Sequence, residues 1–499
     1  MNPVKNLRQF GRDAVDCSTA TTIVFLAVAL WLGSVSTIAA SLKHSSNCDD
    51  LRFVTSFIEL ESRPFAVAVG DFNGDGKADL ATANYFTDSR SDNIAVLFGN
   101  GNGGFDQFAS YQFGALPSAI ATGDFNGDGK LDLVVCHSGS NAVTVLFNDG
   151  AGSFPRGSAF IINNPKGVVV GDFNGDGAPD LAVTEFGSVY LWVIPVSSDG
   201  SFQAAERYVV GQDPIAVAAG DFNRDGKLDL ATANFSSNTI SVLQNRGDGK
   251  FEAAMSYSVG GAPESITVGD FNTDGKADLA VASANINAVS VLLNNGDGSL
   301  KSPISYAVGK VPLAVATGDF DQDGKTDLAV ANLGDNQVSV LLNERGRGFR
   351  AATNFSVGNR PAALAVGDFN ADGQADVAVA NSGATNVSVL LNQTLCKPVI
   401  PTRTRVKTFP NPSKAGHLVS FHISVCAVSG DRFPTGQVQL LEKGVPLSSW
   451  ITLTDGKARF STNHFKAGIH RVTVRYSGDA THLPSSRIVV QLVLKQGWH

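Results

Sequence analysis

Helical periodicity and helix-favouring composition are missing from most of this 499-residue chain, which excludes helix bundles and helical repeats. Histidine is scarce as well. Six of the eight fall in the last hundred residues, and His137 is the only one between residues 51 and 399. His417 and His422 are five apart on one strand pattern, so they point to opposite faces. No nucleophile motif and no phosphate-cradling loop is present, so no catalytic constellation can be assembled from the usual parts.

Positive charge is missing from the long central region. Residues 51–399 hold 38 acids against 21 Lys plus Arg, so 21 − 38 = −17. That balance excludes nucleic acid as a partner, because such binding rests on neutralising phosphates. Residues 400–499 are the reverse, with 13 Lys plus Arg and 4 acids, so 13 − 4 = +9. Two domains of opposite charge are implied, the basic one with a hint of an anionic partner.

Glycine is abundant, at 52, and Val-rich runs end in Gly, Asn and Asp. That is the pattern of many short strands joined by tight turns. One segment repeats. Asp71-Phe72-Asn73-Gly74-Asp75-Gly76-Lys77-Ala78-Asp79-Leu80 recurs with its first Asp at 124, 172, 221, 270, 319 and 368. Each unit reads as four antiparallel strands, with the Asp-rich loop between the first and second. Four short strands per unit of about fifty residues is a propeller blade. The seventh unit lacks its fourth strand, and a strand of the right type, Phe53 to Leu60, precedes the first unit. The N-terminal strand is therefore expected to complete the seventh blade and leave no bare sheet edge. Cys48 and Cys396 flank that closure and are expected to form a disulfide, whereas Cys136 and Cys426 read as small buried apolar residues.

The loops follow D-x-[ND]-x-D-G-x-x-D in all seven units. The oxygen-bearing residues are Asp71, Asn73, Asp75 and Asp79; Asp124, Asn126, Asp128 and Asp132; Asp172, Asn174, Asp176 and Asp180; Asp221, Asn223, Asp225 and Asp229; Asp270, Asn272, Asp274 and Asp278; Asp319, Asp321, Asp323 and Asp327; and Asp368, Asn370, Asp372 and Asp376. Calcium takes six to eight oxygens, and a loop winding about the ion brings such side chains together. Glycine at the sixth position permits the sharp turn. These loops hold 22 of the region's 38 acids, so up to seven calcium ions are expected. Metal-free Asx turns are the competing reading.

These units resemble FG-GAP/VCBS repeats, the blades of the integrin α-subunit propeller and of many bacterial surface proteins. The resemblance rests on Gly70-Asp71-Phe72-Asn73-Gly74-Asp75-Gly76 and its six copies. It implies calcium in the loops and ligands on the opposite face. On that face the bend of the first unit, Asn84 to Asn93, is four residues longer than that of the fifth and carries Tyr85, Phe86 and Arg90, the candidate ligand-binding residues; Arg63, Glu185, Phe186, Asp213, Phe235, Glu264 and Arg360 share the face. Arg246-Gly247-Asp248 is read as a turn rather than an adhesion signal, since other units carry Asn-Gly-Asp-Gly there.

The C-terminal segment resembles the bacterial Ig-like domain of group 3, on Pro410-Asn411-Pro412-Ser413, Pro434-Thr435-Gly436, Ala467-Gly468-Ile469-His470 and Tyr476-Ser477-Gly478-Asp479. At the other end Lys5, Arg8 and Arg12 precede an apolar stretch from about Ala20 to Ala40, the order of an export signal or an uncleaved anchor. The expected organisation is all-β: a signal peptide or transmembrane anchor over 1–41, a seven-bladed β-propeller over 48–396, a linker over 397–402 and an immunoglobulin-like β-sandwich over 403–499. The expected function is an extracytoplasmic calcium-binding module, secreted or on the surface of a bacterium, for a protein or glycan ligand. It would meet a membrane only through the N-terminal segment. A polysaccharide-active propeller enzyme and a structural envelope component are the alternatives.

Overall fold

A computed structural model of the chain describes residues 46–495, apart from 48–50, 86–92, 345–347, 395–396, 399–401, 429–432, 479–481 and 483–484. The signal or anchor segment and the Cys48–Cys396 pair lie outside the described residues. Among those described, no helix is long and apolar enough to cross a membrane. The chain divides into two units at Cys396, and the short strand Ser46–Asn47 joins the second unit by pairing with Lys397–Pro398.

The first unit consists of seven four-stranded antiparallel sheets. Their innermost strands are Arg63–Gly70, Pro117–Gly123, Pro165–Gly171, Pro214–Gly220, Pro263–Gly269, Pro312–Gly318 and Pro361–Gly367. Each packs against the next, and the last packs against the first, which is the radial closure of a β-propeller. The strand Phe53–Glu59 pairs with Asn386–Asn392 and supplies the outer strand of the last sheet, as the repeat arithmetic predicted.

The second strand of each sheet is covered on both faces, so its residues read as an unbroken apolar run. In Asp278–Ser283 the bulky Leu279 and Val281 lie on one face and Ala280 and Ala282 on the other. The bulky face meets Ala231 and Ala233 of the preceding sheet, while the alanine face receives Leu328 and Val330 of the following one. Large against small lets neighbouring sheets interdigitate without voids. Across the closure the same layer holds Val67, Leu80 and Leu97 against Phe369, Val387 and Val389.

Every innermost strand shifts register just after its proline or within the next two residues, for example between Pro214 and Ala216 or Pro263 and Ser265. Such bulges re-aim a side chain. Here they turn Phe65, Ser118, Lys166, Ile215, Glu264, Leu313 and Ala362 into the central cavity of the ring, at the end away from the Asp loops.

The second unit is a two-sheet sandwich. One sheet orders Thr402–Phe409, Val419–Ala427 and Lys457–Thr462. The other is built on Ser485–Leu494, Gly468–Tyr476 and Gln437–Glu442. Phe421, Ile423, Val425, Val438, Leu440, Val472, Val474 and Val493 fill the single core. Two sequence expectations need correction. Thr402–Phe409 is a strand, where a linker was expected to run to residue 402. Cys426 is buried as expected, but it is disulfide-bonded and not an inert core thiol. The reason is pleat parity: Ile423 and Val425 face the core, so Cys426 faces outward, opposite Arg403. Cys136 is free and fully buried, as expected.

Candidate functional site

Each Asp loop begins where an innermost strand ends. The sixth-position glycines all take positive φ, from 78° at Gly275 to 86° at Gly177. A Cβ on Gly76, Gly177 or Gly275 would meet nothing within 4 Å, so the backbone conformation and not crowding requires glycine. In the first loop the Asp71 carboxylate accepts from the backbone N–H of Gly74, Asp75 and Gly76, at 2.8, 3.1 and 2.8 Å. Asn73 Oδ1 accepts from Asp75 N at 2.9 Å, and Asp75 Oδ1 accepts from Lys77 N at 3.0 Å. The other six loops repeat this wrapping, which turns the oxygens of positions 1, 3 and 5 inward along one coil of backbone.

The ninth-position carboxylates do a different job. Asp79, Asp132, Asp180, Asp229, Asp278, Asp327 and Asp376 are buried, and each accepts two backbone N–H bonds. For Asp229 the donors are Phe222 at 3.0 Å and Asn245 at 2.7 Å. The carboxylate thus clamps the start of its loop to the end of the third strand. Burial pushes Asp180, Asp278 and Asp376 up to about 6 against these hydrogen bonds.

A second device was missed in the sequence. Asn148, Asn245, Asn294, Asn343 and Asn392 each donate through Nδ2 to the carbonyl of the loop phenylalanine in the preceding sheet, at 2.8–2.9 Å. Gly103 N does the same for Phe369 across the closure, at 2.9 Å. These bonds tie every loop involved to the next sheet. The signal was legible, since Asn stands 24 residues after the first Asp in five of the seven units.

The loops differ in their cation balance. Lys77 and Lys276 each pair with the fifth-position Asp at 2.9 Å, Lys130 with Asp128 at 3.2 Å and Lys227 with Asp225 at 3.6 Å. The hydrogen bond from Lys77 holds Asp75 below the usual carboxylate range. The third and seventh loops have Ala178 and Gln374 instead. The sixth loop is singular. With Asp321 where the others have Asn, oxygens of Asp319, Asp321 and Asp327 lie within 4.8 Å of one another. Burial, reinforced by its acidic neighbours, raises Asp321 to about 7; burial raises Asp327 to about 8. Lys325 contacts Asp323 and donates to the Asn343 carbonyl at 3.1 Å. The three carboxylates of Asp319, Asp321 and Asp327 form a donor set that fits a hard cation of oxygen preference, while Lys325 balances Asp323 beside them.

On the opposite face Tyr85 packs edge-on against Phe65, with ring centroids 6.0 Å apart. The two rings, Leu116, Ser118, Ser138 and Lys166 enclose a hollow of about 180 Å3 that shares Phe65, Ser118 and Lys166 with the central cavity of about 400 Å3. Phe86 and Arg90 lie outside the described residues. Lys166 sits 5.8 Å from the Phe186 ring, and Phe186 is 6.3 Å from Phe235. Glu264 faces the same cavity, and burial lifts it to about 7 despite the Lys166 charge. Glu185 accepts from Trp192 Nε1 at 2.6 Å and Asp213 from Gly187 N at 3.0 Å, so both are spent on local structure. Arg246 is bonded to Glu252 at 2.7 and 2.9 Å on an exposed turn.

The FG-GAP-like repeat model matches six overlapping stretches that together run from residue 71 to 379. The chain belongs to the FG-GAP-like repeat family. The bacterial Ig-like domain (group 3) model matches residues 406–494 of this FG-GAP protein. No curated protein matches it. Among solved structures it is similar to BBS1N in complex with ARL6DN (14% identity, 68% of this chain and 96% of that one, TM-score 0.49). It is also similar to a candidate 6-phosphogluconolactonase from Bacteroides uniformis (17% identity, 60% and 87%, TM-score 0.48) and to the Dos1 propeller (11% identity, 68% and 95%, TM-score 0.44).

Proposed function

We propose that this FG-GAP protein is an exported, calcium-loaded binding module whose ring mouth takes a protein or glycan ligand outside the cytoplasm. The observation that carries the reading is the central cavity. Seven bulges of one rigid ring deliver seven different side chains to one mouth, where strict repetition would deliver seven alike. Repetition everywhere else in the ring marks this variation as a surface diversified for recognition. Phe65 and Tyr85 offer rings for stacking, and Lys166 and Glu264 offer opposite charges. The Asp loops support calcium as the resident ion, held by positions 1, 3, 5 and 9. The ion would neutralise clustered carboxylates and stiffen the loop, and no reaction is assigned to it.

The test is a glycan and peptide array probed with the full chain in calcium. A specific hit that is lost in both Tyr85→Ala and Lys166→Ala supports the reading. Turnover of a polysaccharide that disappears in Glu264→Gln would replace it with the enzymatic one, since a carboxyl raised to about 7 can donate a proton at neutral pH.

A further inference from the structure

The C-terminal domain carries a cationic sheet face. On the strand Thr402–Phe409 the side chains of Arg403, Arg405 and Lys407 are exposed on one side, alternating with the more buried Thr404 and Val406. The pairing register sets Arg405 opposite Ser424 and Lys407 opposite His422, and then Ser424 opposite Lys457 and His422 opposite Arg459. Opposed residues of an antiparallel pair share a face. The outer face of this sheet is therefore two rows of exposed cations flanking a central strand on which Ser420 and His422 are half-buried and Ser424 is buried.

No acid lies on this face among the described residues. None of Arg403, Arg405, Lys407, Lys457 and Arg459 makes an ion pair with a described residue, whereas Lys–Asp and Arg–Glu pairs recur throughout the ring. The row on Thr402–Phe409 also borders a groove of about 980 Å3, to which Arg487 of the facing sheet and the hydroxyl-bearing Thr402, Thr404 and Ser485 contribute.

We propose that this face and its bordering groove bind an anionic polysaccharide bearing carboxylate or sulfate groups. Charge complementarity sets the sign of the partner. Cations at alternate residues recur about every 7 Å along the strand, a spacing suited to a linear polyanion laid on a flat sheet. Guanidinium groups engage carboxylate and sulfate through paired N–H donors, and the intervening hydroxyls suit the polar remainder of a sugar chain. Phe409 is the only exposed aromatic among the described residues of the face, which leaves no stacking track for nucleic-acid bases.

The experiment is titration of the full chain with a sulfated polysaccharide and with polygalacturonate, at several salt concentrations, against neutral dextran. Single-stranded DNA and phosphatidylglycerol vesicles are run in parallel. Expected is saturable binding to at least one of the two polyanionic sugars and none to dextran, weakening with salt. The triple variant R403S/R405S/K407S should lose affinity on the order of tenfold or more. R471S/R475S, which removes two exposed cations from the other sheet, should lose less than about twofold, and R403K/R405K should retain most of the binding. Equal losses in the two serine variants would reduce the effect to net charge and overturn the proposal. Tighter binding to DNA or to vesicles than to both sugars, or no saturable binding, would also overturn it. Because all the altered residues are exposed, a melting curve unchanged from the parent confirms that the variants are folded.

Discussion

The ring and the sandwich solve the same problem, burying strands, in opposite ways. The ring spreads its apolar core over a series of layers between neighbouring sheets, and it seals the loop end with buried carboxylates and amides. The sandwich has one core between two sheets and leaves its charges in solvent. In the ring buried carboxylates recur in every sheet, whereas the sandwich buries neutral polar groups such as Gln491 and Ser413 and, among its described residues, no carboxylate. The charge balances of −17 and +9 follow from that difference: acids are needed where loops are to be held, and cations stand on the outer faces of the sandwich.

The comparison can be broken most forcefully by a chelator. Removing calcium should lower the melting temperature of the ring by about 10 °C or more, since several sites each contribute a few kcal/mol at saturating ion. The sandwich transition should not move. Calorimetry on the full chain reads both, and a ring transition indifferent to chelator would return the Asp loops to metal-free turns. The next largest effect belongs to the clamp. Asp229→Ala strands the buried N–H groups of Phe222 and Asn245 and should cost about 3 kcal/mol in denaturant unfolding. Asn294→Ala, which cuts one inter-sheet latch, should cost about 1–2 kcal/mol by the same measurement.

Glu264 sharpens the contrast in its dependence on pH. Its carboxyl is raised from 4.5 to about 7, so the folded ring holds this proton more tightly than the unfolded chain does. Stability from this group is therefore full below about pH 4.5 and is lost as pH rises toward 7. Glu264→Gln should remove that slope and stabilise the ring above pH 7 by about 1–2 kcal/mol. The smallest effect is expected from Arg246→Ala. Its ion pair with Glu252 is half exposed on both sides, and its loss should change stability by less than about 0.5 kcal/mol.

The ring was more legible than the sandwich because repetition averages away local ambiguity. One Asp loop could be a turn, but seven at near-constant spacing announce the blade, its first two strands and the closing strand Phe53–Glu59. What stayed hidden were roles that depend on a neighbour. The ninth-position Asp reads from its spacing as a metal ligand, and its added role as a clamp shows only when the backbone donors stand around it. The latch asparagines read as turn residues until the preceding sheet stands beside them. In the sandwich, Thr402–Phe409 escaped notice because its outward positions are Arg and Lys and its inward ones only Thr and Val, a strand with little apolar signal. Cys426 is buried, as its residue type suggested, but its disulfide stayed hidden because the pleat places it on the face away from the core.

The strand that closes the ring has a consequence in time as well as in space. Phe53–Glu59 leaves the ribosome first among the strands of the ring, and its partner Asn386–Asn392 last. More than three hundred residues must follow before the two can meet. Contacts of such sequence separation are slow to form, and until they do the growing assembly exposes an unpaired sheet edge at each end. A chain threaded outward through a membrane would therefore stay open, and vulnerable to self-association, until its final blade had crossed.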